Sequence, residues 1–186
     1  MDLTEQIRRY EPFNRQEEQD QKLILSCLQT MEQVFTRENA VAHMTASAWV
    51  VNPSRDKVLL AYHRIYGSWA WLGGHADGER DLLKVALREA SEESGVKELR
   101  AISEEIYSLE VLTVNGHFKR GSYVPSHLHL NITYLLEAAE GAPLPGKPDE
   151  NDGAAWFPLD SVAEVSSESW LCENIYKKLQ QKLTFI

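Results

Sequence analysis

Residues 73–96 read GGHADGERDLLKVALREASEESGV, paired glycines ahead of a stretch with helical periodicity. Leu83, Ala86, Leu87 and Ala90 recur at helical spacing and predict an apolar face about 100° wide, enough to seat a helix on a core. The glycines predict a turn before it. Asp77 and Glu79 stand near the helix start, where the dipole favours negative charge, and Gly95 is placed to end the helix as a left-handed cap. A second stripe begins with Leu82 and Val85 and continues as Glu89, Glu92 and Glu93. That spacing gathers the carboxylates on one face within a turn. Their repulsion is relieved if a cation sits between them, and hard oxygen donors on neighbouring turns suit Mg2+ or Mn2+. A solvated acidic face with Arg88 paired to Glu92 is the other reading of an isolated helix. The glycines and His75 ahead of this one favour the metal.

Around this stretch lies a chain of 186 residues with a formal charge of −9, sized for one domain with a substantial core and an added terminal element. The acidic balance argues against a nucleic-acid polymer or an anionic membrane as the main partner. It does not exclude a small phosphorylated ligand whose charge a bound metal offsets. No apolar run approaches the ~20 residues of a membrane span. The polar start MDLTEQIRRYEPF matches neither a signal nor a transit peptide, so a cytoplasmic location is expected. Cys27 and Cys172 are expected to be buried, reduced thiols.

Residues 3–10 predict a short helix ended by Pro12. Asn14 and Glu17 resemble a capping box opening a longer helix to about Phe35, with Ile24, Cys27, Leu28, Met31, Val34 and Phe35 buried. We divide the chain accordingly into an N-terminal helical extension, 1–38, and a main domain, 39–186. The extension is expected to shape a substrate entrance or a homodimer contact, alternatives the sequence leaves open. Strands are predicted at 45–51 and 57–64 around an Asn-Pro-Ser-Arg-Asp turn, then at 69–72 running into the glycines. Further strands are predicted at 104–114, 126–138 and 154–157, with a polar loop at 115–121 and a Pro/Gly-rich acidic loop at 141–152. Along 126–138 the residues alternate, His127, His129, Asn131 and Thr133 to one side and Leu128, Leu130, Ile132 and Tyr134 to the other. A final amphipathic helix spans about 168–182. The order predicts an α+β fold, a mixed sheet sandwiched between helices (α/β/α).

The central stretch resembles the Nudix box: Gly, five residues, Glu, seven residues, Arg-Glu, an aliphatic, any residue, Glu-Glu, any residue, Gly, aliphatic. Gly74, Arg88, Glu89, Ala90, Glu92, Glu93, Gly95 and Val96 fall in register. The first Glu of the pattern is displaced, Arg80 standing at its place with Glu79 just before it, and Leu72 replaces the common Pro. The turn is therefore expected to be one residue shorter and the helix start one residue longer. The surrounding element order also resembles the Nudix fold, over about three quarters of the chain. The resemblance implies Mg2+-dependent hydrolysis of the pyrophosphate bond in a small nucleoside diphosphate linked to another group, X, with Mn2+ as a substitute ion. Glu89, Glu92 and Glu93 match the family's metal-binding glutamates, Arg88 the arginine that orients a glutamate, and Gly74 the glycine that lets the loop pass close to the helix. Glu92 and Glu93 are then candidate catalytic groups.

Glu150, in Asp149-Glu150-Asn151-Asp152, is the candidate for an additional catalytic acid of the kind many Nudix enzymes place there; a solvated turn is the competing reading. His127, His129 and Asn131 would bind phosphate or a base edge if their strand face opens on a cleft. A zinc site there needs a third ligand, which the spacing does not identify. His75 is expected near the metal site, and Lys119 and Arg120 are the nearest cations for a distal phosphate. Trp71 is expected in the core. A non-catalytic nucleotide-binding sensor on the same fold is the alternative function. An isopentenyl diphosphate isomerase-like reading fails because neither cysteine lies near the cleft segments.

Overall fold

The computed structural model describes residues 2–64, 67–119, 121–141, 143–145 and 151–186. Its centre is β1 (Ala42–Val51), buried along its whole length. The other strands are β2 (Lys57–His63), β3 (Ser68–Ala70), β4 (Leu72–His75), β5 (Arg100–Ala101), β6 (Ser108–Val114), β7 (His117–Lys119), β8 (Ser122–Val124), β9 (His127–Glu137) and β10 (Asn151–Pro158). Among the described residues they form a mixed eight-stranded sheet with the path β10-β2-β1-β9-β5, to which β3 adds on β2, β4 on β1 and β6 on β9. β1 and β9 run parallel from Ala42 opposite Leu128 to Val51 opposite Glu137. β7 and β8 pair as a separate hairpin. The mixed sheet with packed helices is the α+β, Nudix-like arrangement expected.

Several elements depart from the sequence reading. The paired glycines lie in a strand, Gly73 opposite Ser47 and Gly74 opposite Ala46. The turn comes later, at Asp77 and Gly78, both with positive φ. The strand expected at 69–72 is broken at Trp71, where the chain leaves β2 for β1. The loop expected at 115–121 contains the strand β7.

Helix α1 (Leu3–Arg9) starts on Asp2, whose carboxylate accepts the Glu5 N–H at 2.8 Å. Asn14 likewise accepts the Glu17 N–H at 2.9 Å at the head of α2 (Arg15–Thr30). The expected reciprocal half of the capping box is absent, because Glu17 turns inward to accept the Phe13 N–H at 2.7 Å and the Tyr10 hydroxyl at 2.6 Å. Helix α2 stops at Thr30, short of the expected Phe35, and Gln33 takes a left-handed φ of 52°. Ile7, Ile24, Cys27 and Val34 share one apolar core with β1 and with the helix that follows β4, α3 (Leu82–Ser94). A second core, on the other side, packs Trp49, Trp71 and Leu60 against the C-terminal helix, which runs as Ser169–Leu171, a π turn Cys172–Tyr176 and Lys177–Leu183. Trp49 stacks on Tyr176 with ring centroids 5.5 Å apart. Cys27 and Cys172 are free and buried. No described helix is long and apolar enough to cross a membrane.

Between the cores a buried polar seam crosses the sheet. Thr45 and Ser47 donate to the Asn131 carbonyl oxygen at 2.9 and 3.0 Å, and Asn131 and Thr133 donate to Glu110 at 2.9 Å each. Lys178 reaches Glu110 at 2.9 Å and Glu17 at 3.1 Å, and Lys182 meets Glu17 at 3.1 Å. Burial alone would raise the Glu17 pKa, but the two ammonium groups, the Tyr10 hydroxyl and the Phe13 amide hold it at about 2. Asn131, expected from its strand face to meet a ligand, is engaged inside this seam and 1% exposed.

Candidate active site

The helix α3 is set by its caps. Asp81 accepts the Lys84 N–H at 3.1 Å, and Gly95, with φ 79°, closes the last turn by donating to the Ser91 carbonyl at 2.8 Å. The displaced Glu79 stays at the head of the helix, where its carboxylate accepts from the Arg80 and Asp81 amides and pairs with Lys84 at 2.6 Å. The Lys84 ammonium first, then those two amides, hold Glu79 at about 2. Asp77 lies outside the helix and forms a two-bonded pair with Arg37, at 2.8 and 2.6 Å. The loop before α3 is thereby tied to the segment that follows α2.

On α3 the buried residues include Leu82, Val85, Ala86, Ala90 and Glu93, so Ala86 and Ala90 of the stripe read from the sequence face the core as expected. Leu83 and Leu87 are half-buried at its flank. The buried side is thus turned toward Leu82 and Val85, and α3 packs on β4 and β1. In consequence the acidic stripe runs from solvent into the protein: Glu92 is exposed, Glu89 half-buried and Glu93 2% exposed.

Glycine strand and acidic helix interlock. A Cβ on Gly74 would come within 2.5 Å of the Glu89 carboxylate, so this glycine leaves the space that Glu89 fills. A Cβ on Gly73 would lie 2.6 Å from the Ala46 carbonyl oxygen and 2.8 Å from the Ser47 Cα. The Gly73 N–H donates to Glu93 at 2.9 Å, and His63 on β2 lies 3.9 Å from the other Glu93 oxygen. Arg88 donates to Glu89 at 2.8 Å and to the His75 carbonyl at 3.4 Å. Arg88 thus pairs with its neighbour Glu89. An array of carboxylate oxygens, one oriented by a guanidinium and one by a backbone amide, fits a hard divalent ion in donor chemistry.

His75, His127 and His129 also come together, and they gather around a residue the sequence reading missed. His43 lies with its ring centroid 5.1, 4.8 and 5.1 Å from those of His75, His127 and His129. Burial first, then the neighbouring imidazoles, pushes His129 down to about 2, and burial lowers His43 as well. Both rings are neutral at physiological pH, so neither brings positive charge to a phosphate. His43 escaped notice because the strand was read from residue 45 and its pairing with β9 joins segments more than 80 residues apart. The signal was the repeat of polar residues at 43, 45 and 47, in phase with those at 129, 131 and 133. Arg120 and Glu150 lie outside the described residues, as does the side chain of Lys119.

Comparison with known proteins bears on the family and the fold. The family model described as NUDIX domain matches residues 41–175. A CMP-5'-(N-acetyl-N-hydroxy-3-aminopropyl)phosphonate hydrolase of Streptomyces rubellomurinus (strain ATCC 31215) is 31% identical over 144 residues, covering 74% of this chain; the chain spans 60% of that relative's length. Among solved structures, an E. coli dihydroneopterin triphosphate pyrophosphohydrolase aligns with TM-score 0.55 and 14% identity over 77% of this chain and 96% of its own. A C. elegans Ap4A hydrolase complex aligns with TM-score 0.54 and 16% identity over 76% and 95%. At these identities the two structures speak to the fold alone. Since the family match begins just before β1, takes in the whole interlock of glycine strand and acidic helix, and ends inside the C-terminal helix, this chain belongs to the NUDIX domain family.

Proposed function

We propose that this chain is a Mg2+-dependent pyrophosphohydrolase, with Mn2+ as a substitute ion, acting on a small nucleoside diphosphate linked to X. The observation that carries the reading is the seat of Glu89 on the bare Cα of Gly74, which packs an acidic helix face against a strand. Three glutamates on one turn would repel a diphosphate. Glu89, Glu92 and Glu93 would hold Mg2+, which would supply positive charge for phosphate oxygens and Lewis acidity toward the attacking water.

The chain's own groups do the rest. Arg88 is a positioning residue that holds Glu89, and the Gly73 amide orients Glu93. Glu92 and Glu93 are the catalytic carboxylates. One acid of this set accepts the proton as water oxygen bonds to phosphorus and the anhydride P–O bond breaks, its electrons staying on the leaving phosphate. Glu150 is the candidate for a further acid. Lys119, the last residue of β7, and Arg120 are assigned to a distal phosphate. The Streptomyces relative is named for a CMP-linked phosphonate, which supports a nucleotide joined through phosphorus to X as the substrate class.

The test is a screen for phosphate or nucleoside monophosphate release over a panel of nucleoside diphosphate-X compounds, with Mg2+ and with Mn2+. Wild type should turn over at least one compound only when the ion is present. Glu92→Gln and Glu93→Gln should lower kcat by about 100-fold or more while binding persists. Full activity in both variants would overturn the assignment. No turnover alongside tight binding of one compound would make the protein a nucleotide sensor instead.

A further inference from the structure

Three strands converge on a histidine cluster that the pyrophosphohydrolase reading does not use. His43 stands opposite His129 in the parallel β1–β9 pairing, and Thr45, two residues along β1, stands opposite His75 of β4. The ring centroids of His75 and His129 are 4.8 Å apart and those of His127 and His129 5.1 Å. One ring nitrogen from each of His43, His75 and His129 lies within 4.8 Å of the others.

The hydrogen bonds fix where the protons are. His43 Nδ1 is 3.0 Å from the Asn39 carbonyl oxygen, and His127 Nδ1 is 2.8 Å from that of Pro125. A carbonyl only accepts, so each Nδ1 carries the proton and each Nε2 presents a lone pair. His43 is 5% exposed and its Nε2 has no hydrogen-bond partner. A buried acceptor left unmatched beside other imidazoles calls for a ligand. A ring nitrogen that donates to a backbone carbonyl, leaving the other free, is the arrangement that orients metal-binding imidazoles. The Nε2 atoms of His127 and His129 are 3.3 Å apart. Tetrahedral zinc with bonds of about 2.0–2.1 Å to nitrogen would set two donors about 3.3–3.4 Å apart.

We propose that His43, His75 and His129 form an all-nitrogen site for a borderline transition ion of the Zn2+ class, distinct from the carboxylate site, with His127 packed against it. Imidazole suits zinc and its neighbours in the transition series, whereas Mg2+ selects oxygen. The two sites are on opposite sides of one strand. Successive residues of a strand point to opposite faces; the Cβ direction of Gly74 meets Glu89, and the next residue, His75, turns the other way toward His43. A bound ion would pin β4 to β1 and β9 from the face opposite the glutamates.

Metal-stripped full-length protein, without Mg2+, should be titrated with Zn2+ by equilibrium dialysis and, separately, with Co2+ under visible spectroscopy. We expect one Zn2+ per chain, a Zn2+-induced rise in Tm, and the strong visible bands of four-coordinate cobalt with nitrogen donors. His43→Gln and His129→Gln should weaken Zn2+ binding at least ~10-fold, while Glu92→Gln leaves it within about twofold of wild type. The wild-type stoichiometry, spectrum and Tm shift need no variant to fold. Absence of stoichiometric Zn2+ uptake by wild type would overturn the proposal, as would uptake abolished by Glu92→Gln or a six-coordinate cobalt spectrum.

Discussion

Adjacent glycines at 73 and 74 make different demands, and substitution should separate them. At Gly73 an added methyl meets the Ala46 carbonyl and the Ser47 backbone, atoms that move only if β1 moves. Gly73→Ala should therefore cost about 1–3 kcal/mol of stability in urea denaturation. At Gly74 the methyl meets only the end of the Glu89 side chain, which can swing aside. Gly74→Ala should stay within about 1 kcal/mol of wild type yet lose about 100-fold in Mg2+-dependent turnover, a split that paired denaturation and kinetic assays would show. The glycine spacing was legible in the sequence, but its strand conformation was not, because the turn chemistry that glycine advertises belongs here to Asp77 and Gly78. His43 was equally hidden. Nothing local to it announces a partner 86 residues away, and only the parallel pairing supplies one.

Helix α3 was visible in the sequence as an element, with its acidic stripe and its Gly95 stop, because both rest on short-range spacing. That Ala86 and Ala90 face inward was legible; that Leu82 and Val85 sink deeper than Leu83 and Leu87 was not. The Leu83–Leu87 and Leu82–Val85 stripes are both plausible by period, and the choice falls to the strands beneath. That choice is what sinks Glu93 beside the Gly73 amide and leaves Glu92 at the surface. The start of the helix is set by Asp81, which supplies the cap, with Glu79 binding the amides just ahead of it. Asp81→Ala should remove the cap and lower stability by about 1 kcal/mol in denaturant titration. Strand β9 was legible almost to its ends because alternation over so many residues has no helical counterpart.

The molecule as a whole is held across its two cores by the charged seam of Glu17, Glu110, Lys178 and Lys182. Lys178 is 3% exposed, and replacing it with Met would leave Glu110 and Glu17 buried with too little positive charge. Lys178→Met should cost about 3–5 kcal/mol, and adding Glu110→Gln should recover part of that loss. The seam also sets acid sensitivity. The Glu17 carboxyl is held at about 2, below its ordinary 4.5, so its contribution is full above the ordinary value and fades as pH falls from about 4.5 towards 2. Denaturation midpoints measured over that range should fall less steeply for Glu17→Gln than for wild type. None of these pairings was legible in the sequence, since they join α2 to the C-terminal helix across 162 positions between Gln16 and Lys178. That reach governs the order in which the fold can assemble. β1 gains its parallel neighbour only when β9 exists, and the buried acids gain their lysines only when the C-terminal helix docks. Closing loops of that span is entropically costly and slow. A chain still emerging from the ribosome therefore carries Glu17 and Glu110 without counter-charges, and cooperative folding waits for synthesis to pass Lys178 and Lys182.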